Sequence, residues 1–232
     1  LRLGELASRM VFSPSRITYQ VKTLVARGLI DRIVASGLSK TNMGGPLDAA
    51  LLKPGRRVLI VDQTLGDASI GHGLASTESF AEMMRAARRD EPGAQLIVKR
   101  HPAVAAGRKQ GCVTDLEGTT LVDTDVRPAD LLAAVDAVYC VTSALGFEAL
   151  MRGLPVRCFG APFYSGWGLT TDAVDTGRRG VARDLETVGA AARIGEGREG
   201  LQVAQRLTAL DPPVPLAADR GPEADLEHGV EV

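Results

Sequence analysis

From residue 57 onward, short apolar runs alternate with amphipathic stretches. Arg57-Val58-Leu59-Ile60-Val61 is almost wholly apolar and β-branched, the form of a strand buried on both faces. A loop from Asp62 to about Ser76 leads into a helix over 77–89, where Phe80, Met83, Met84 and Ala87 share one face. Strands follow at 95–98, 120–122, 137–141 and 155–159. Helices at 128–135 and 145–152 separate them, with Gly153 closing the second. Strands and helices alternating at this spacing predict βαβ units, a parallel sheet and right-handed crossovers. In such sheets ligands bind beyond the carboxyl ends of the strands.

The flanks carry different rhythms. Leu3, Leu6, Ala7 and Met10 recur at helical spacing. Ser13-Pro14 then starts a second helix, with Ile17, Val21, Leu24 and Val25 as its stripe and an end near Gly28. Residues 1–32 thus read as a helix-turn-helix-like segment, 33–55 as a glycine- and proline-rich connector, and 56–210 as the α/β domain. Helices at 185–193 and 201–210 close that domain, and 211–232 reads as a disordered tail. The chain opens on Leu1 rather than Met, as a fragment or a fused frame would.

Composition narrows the function classes. A net charge of −1 exerts no global pull on nucleic acid or anionic lipid, so any such affinity is local. Three widely spaced cysteines, Cys112, Cys140 and Cys158, fit neither a zinc site nor a disulfide framework and predict a reducing compartment. No metal or cofactor is expected. No run approaches the roughly 18 apolar residues of a membrane span.

Four clusters fall at strand ends. The loop after the first strand offers Gln63, Thr64, Gly66, Asp67 and Ser69, whose amides and hydroxyls can hold an anion. Lys99-Arg100-His101-Pro102 forms a compact positive turn; His101 titrates near neutrality and can donate to a phosphate oxygen. Thr142 and Ser143 stand where a strand becomes a helix, a common phosphate seat. Gly146 there allows close approach, and Glu148 can accept from a ribose hydroxyl. Phe163, Tyr164 and Trp167 lie on a glycine-flanked loop and form a candidate pocket wall. Each cluster also has a plainer reading, as an Asx turn, a solvated basic turn, a helix cap and a hydrophobic cluster under a loop.

Together these segments resemble the capsule polysaccharide biosynthesis/export family of the KpsC/KpsS type. The resemblance rests on Ser36-Gly37-Leu38-Ser39-Lys40-Thr41-Asn42, VLIVDQTLGDASI (58–70), VKRHPAV (98–104), TSALGFEALMRGLPV (142–156) and CFGAPFYSGWGLTTD (158–172). It implies a Rossmann-like half of a GT-B glycosyltransferase that moves Kdo from CMP-Kdo. It also implies a lipid-linked or glycolipid acceptor at the inner membrane face, with the capsule export machinery as a possible partner. Cytoplasmic placement with peripheral contact to that membrane follows. His101, Pro102, Thr142 and Ser143 would hold the CMP phosphate. Gln63, Gly66 and Asp67 belong to the loop motif, and Glu148 would touch the nucleotide. Family members carry, upstream of the Ser-Gly-Leu-Ser-Lys segment, a further α/β domain with an acidic Glu-Asp-Gly motif, which residues 1–35 do not match. Transfer through an oxocarbenium-like state needs positioned carboxylates. The expectation is therefore donor binding, with turnover dependent on that other half.

Residues 1–32 resemble instead the helix-turn-helix core of MarR-type regulators. Ser15, Arg16, Thr18, Tyr19, Gln20 and Lys22 would face DNA. Basic Arg2, Arg9, Arg16, Lys22, Arg27 and Arg32 outnumber Glu5 and Asp31 there. The wing and dimerisation helices of that family have no counterpart in the segment. A DNA-binding regulator is the alternative function, and an inactive gene fusion is the third.

Overall fold

The computed structural model describes residues 28–40, 44–176 and 181–191. The candidate DNA-facing residues Ser15, Arg16, Thr18, Gln20 and Lys22 lie outside them, as do the 201–210 helix and the 211–232 tail.

Six strands form one parallel sheet: β1 (Arg57–Val61), β2 (Gln95–Lys99), β3 (Thr120–Val122), β4 (Ala137–Cys140), β5 (Val156–Cys158) and β6 (Thr171–Asp172). The helices are α1 (Ala68–His72), α2 (Thr77–Asp90), α3 (Pro102–Ala105), α4 (Pro128–Ala133), α5 (Ala144–Met151) and α6 (Leu185–Ala191). Sheet order is β3-β2-β1-β4-β5-β6. The direction of winding reverses between β1 and β4, and a crevice opens at the carboxyl ends of those two strands. This is the predicted α/β, Rossmann-like architecture.

Alternation along each strand divides the core in two. Val58, Ile60, Leu96 and Val98 pack with Phe80, Met83 and Met84 of α2. Leu59, Val61, Ile97, Val138 and Cys140 pack with Leu131 and Leu132 of α4 and Phe147 of α5. Both faces are covered, so the strands can be apolar at every position. Ser76 caps α2 in a reciprocal box with Ser79, which fixes where that helix begins.

Three short elements depart from the sequence reading. Helix α1 lies inside the expected 62–76 loop, started by Asp67, whose side chain accepts from Ser69 N. His101 caps the four-residue α3, and β6 adds a two-residue strand after the last expected one. Such elements are too short to show a period.

The expected helix end near Gly28 and the 33–55 connector also need correction. Residues 28–35 are helical, and Ile30 and Ile33 are buried. Ile33 and Leu38 form a small cluster with Leu29 and Met151 of α5. The helix closes instead at Gly37, which has φ +64°, with Leu38 N donating to Ile33 O across it at 3.0 Å. Gly28 itself lies in this helix, whose following turn covers an apolar surface. Arg152 then holds Leu38 O at 3.1 Å, so 28–40 is docked onto the domain rather than linking to it.

Candidate functional site

The crevice between β1 and β4 is a cleft of about 590 Å³. It gathers the ends of four strands: Asp62 and Gln63 after β1, Lys99 to Pro102 at β2, Asp125 to Pro128 after β3, and Thr142 to Leu145 after β4. Asp67 and Ser69 of the first loop, Ser39, Lys40 and Glu148 complete it.

Gln63 ties the two sides of the switch point together. Its Oε1 accepts from Thr142 N at 3.0 Å. Its Nε2 donates to Thr142 Oγ1 at 2.9 Å and to Ser69 Oγ at 3.2 Å. Thr142 is wedged by its methyl group as well: a β-carbon on Gly160 would sit 2.9 Å from Thr142 Cγ2, and one on Gly73 would be closer still. Gln63 and Thr142 thus build the cleft floor and set the register of α5 against β1. Gln63→Glu removes the amide donor and sets a carboxylate beside Asp67, whose Oδ2 lies 3.5 Å from Nε2. It is expected to cost about 2 kcal/mol at pH 7. A carboxyl raised by its like-charged neighbour loses stability as pH rises through its folded value, so the melting-temperature deficit shrinks toward pH 5. A pH-independent deficit would count against this role.

Ser143 caps α5, accepting from Leu145 N at 3.3 Å, and its backbone oxygen accepts from Tyr164 Oη at 2.5 Å. The start of α5 is therefore anchored from below, with its first amides at the cleft. His101 accepts from Ala103 N through Nδ1 at 3.1 Å. That bond assigns the neutral ring's proton to Nε2, a donor for an anion in the cleft. Burial and the nearby Lys109 hold its pKa below the usual histidine value, partly opposed by Asp67.

Two buried carboxylates frame the cleft. Asp62 Oδ1 accepts from the backbone amides of Gln63, Cys112 and Val113, each at 2.9 Å. Burial pushes its carboxyl up, against the pull of those amides. Glu148 Oε1 accepts from Lys40 N at 3.1 Å, and Arg152 on the next turn donates to Glu148 O and Leu38 O. Burial also raises Glu148, opposed by Ser39 and Lys40 N. Glu148 thus fastens the Ser-Gly-Leu-Ser-Lys segment to α5.

Of the residues expected from sequence, the cleft brings together Gln63, Asp67, Lys99, His101, Pro102, Thr142, Ser143 and Glu148. Gly66 and Gly146 do not line it. Gly66 turns the first loop at φ +81°. Gly146 faces the sheet, where a β-carbon would lie 2.8 Å from Cys140 Sγ and against the Tyr164 hydroxyl. Its close approach is of helix to strand, not of backbone to ligand.

The aromatic wall is also corrected: Phe163, Tyr164 and Trp167 are not among the residues lining the cleft. Tyr164 is wholly buried in the core between Phe147 and Cys140. Phe163 stacks on Phe147, and Trp167 Nε1 donates to Phe163 O at 2.8 Å. The apolar demand of the α5–β5 layer captures Tyr164 and Trp167, while Phe163 stays exposed beside them. Sequence reasoning gave no role to Asp125, Val126 and Pro128. Their signal was the end of β3, a strand of only three residues.

A family profile described as "Capsule polysaccharide biosynthesis protein" matches residues 13–193. That span takes in the segment from Ser15 to Lys22 that resembled a helix-turn-helix. The capsule polysaccharide modification protein LipA of Neisseria meningitidis serogroup A / serotype 4A is 44% identical over 154 residues, which is 63% of this chain and 22% of LipA. The lipopolysaccharide-processing protein LpsZ of Rhizobium meliloti is 41% identical over 174 residues, 73% of this chain and 40% of LpsZ. The chain therefore spans well under half the length of these relatives. Among solved structures, the β Kdo 2,4 transferase KpsC of Thermosulfurimonas dismutans matches with a TM-score of 0.69 at 41% identity, covering 74% of this chain and 55% of that one. The β Kdo 2,7 transferase KpsC of the same organism matches in fold, with a TM-score of 0.60 at 24% identity. The chain belongs to the capsule polysaccharide biosynthesis protein family.

Proposed function

We propose that this chain is the donor-binding half of a GT-B-type Kdo transferase of capsule biosynthesis, and that its cleft holds CMP-Kdo. One observation carries the reading: the switch-point cleft joins a preset His101 Nε2 donor, the anchored start of α5 and Lys40. A phosphate at that point would meet the His101 donor and the first amides of α5 together. The likeness to the KpsC β Kdo 2,4 transferase supports Kdo as the sugar of that donor. The acceptor is then a lipid-linked glycan reached at the inner membrane face, near the export machinery. No helix among the described residues is long and apolar enough to cross a membrane. Contact with that face is therefore assigned to the protein's surface. The chain itself needs no resident cofactor for donor binding.

Saturating CMP, at about a hundred times its dissociation constant, is expected to raise the melting temperature by about 5–10 °C. His101→Ala removes both the Nε2 donor and the α3 cap, and abolishes the shift. An unchanged melting temperature at millimolar CMP in the wild-type chain sinks the reading.

A further inference from the structure

Lys99 is the last residue of β2 and is 8% exposed, yet it lines the cleft. Its alternation partner Ile97 packs in the core cluster beneath α4 and α5, so the ammonium rises from an apolar floor. Its Nζ meets one protein acceptor, Thr124 O, at 3.3 Å. Asp125 and Asp123 attract its charge from nearby, but no carboxylate among the described residues comes within ion-pair distance of it, whereas its neighbour Arg100 pairs with Asp123 at 3.4 Å. A buried ammonium with one long carbonyl contact is an unfavourable arrangement for an empty protein. Two of its three protons remain to be used.

We propose that Lys99 is the specificity-determining residue for a second anion on the donor, the carboxylate of an acidic sugar. This rests on the reading of the cleft as a nucleotide-sugar site. The phosphate already has His101 and the start of α5. Lys99 lies lower, on the α4 side of the sheet, beside the Asp125–Pro128 loop. An ammonium there answers a single desolvated negative charge, which a carboxylate-bearing sugar supplies and a neutral hexose does not. The same residue makes the ligand-free protein less stable than its fold allows, a common cost of a preformed site.

The test compares CMP with CMP-Kdo by calorimetry on the full chain and on Lys99→Met and Lys99→Gln. The wild type binds CMP-Kdo more tightly than CMP. Both variants lose roughly tenfold or more in CMP-Kdo affinity, while CMP affinity changes by less than about twofold, within the range of a lost distant charge. Lys99→Met, which removes an unpaired buried charge at similar volume, raises the ligand-free melting temperature. Equal losses for both ligands make Lys99 a phosphate contact and overturn the proposal. So does a lower ligand-free melting temperature in both variants, which makes it structural. Failure of the wild type to bind CMP at all instead removes the donor-site reading itself.

Discussion

Gly146→Ala is expected to destabilise the domain by about 3 kcal/mol and to lower its melting temperature by about 6–12 °C. One added methyl group has this effect because three things converge on the position. Gly146 lies in the first turn of α5, directly over β4, and a β-carbon there is blocked by Tyr164 Oη and Cys140 Sγ. Neither neighbour can withdraw. Tyr164 is wholly buried, its ring held between Phe147 and Phe163 and its hydroxyl bonded to Ser143 O. Cys140 is equally buried on β4, in register with Cys158 of β5. The start of α5 must therefore lift, and with it Ser143 and the amides that face the cleft. A loss of CMP affinity accompanies the loss of stability. Tyr164→Phe vacates the space of the hydroxyl at a cost of about 1 kcal/mol for its hydrogen bond. The double variant Gly146→Ala/Tyr164→Phe is then more stable than the sum of the two single changes predicts, by about 1 kcal/mol or more. Strict additivity in denaturant melts would show that Tyr164 is not the obstacle.

The same glycine marks where sequence reasoning stops. Strand and helix order followed from apolar runs, because strands covered on both faces are apolar throughout and need only be counted. The 120–122 strand was placed at its observed bounds, and the helix over 77–89 ends one residue later, at Asp90. Strand order was not legible, because the reversal between β1 and β4 is made by crossover direction and leaves no local mark. The site was legible as a set of strand ends. Eight of its candidate residues meet in one cleft for that reason. Their individual roles were not legible. Gln63 in the first loop motif and Thr142 at a strand-to-helix junction read as ligand contacts, yet each spends its polar atoms on the other and on Ser69. Tyr164 and Trp167 were taken for a wall because aromatics on a glycine-rich loop are often exposed, yet α5 and β5 left an apolar layer to fill. Sequence gives the residue type, and the partner that consumes its hydrogen bonds comes only from the fold.

Asp62→Ala is expected to have the larger effect of the two on the loop architecture, costing about 4 kcal/mol and about 8–16 °C in melting temperature. Asp62 Oδ1 is the shared acceptor for three buried amides from two separate segments. Cys112 N also reaches Gln63 O at 3.0 Å, so it keeps a partner when the carboxylate is removed. Gln63 N and Val113 N do not have that second bond, and their loss sets the cost. The 111–113 segment is pressed against the carboxylate, since a β-carbon on Gly111 would collide with Oδ2 and lie 3.1 Å from Cγ. Removing the side chain therefore loosens this segment and frees the backbone amide of Gln63, the residue whose side chain bridges to Thr142. Asp62→Asn keeps an oxygen for the amides and is expected to cost about half as much. Its pH dependence identifies the cause. Burial raises the Asp62 carboxyl above its ordinary value. A raised folded-state value favours the protonated form, so the wild type's advantage is fullest below the unfolded pKa of about 4 and declines as pH rises through the folded one. Asparagine does not ionise. The stability gap between wild type and Asp62→Asn, followed by urea unfolding from acid to neutral pH, narrows as pH increases. A gap that widens with pH would mean that the three amides outweigh burial, with Asp62 acting as a stabilised anion in the folded protein.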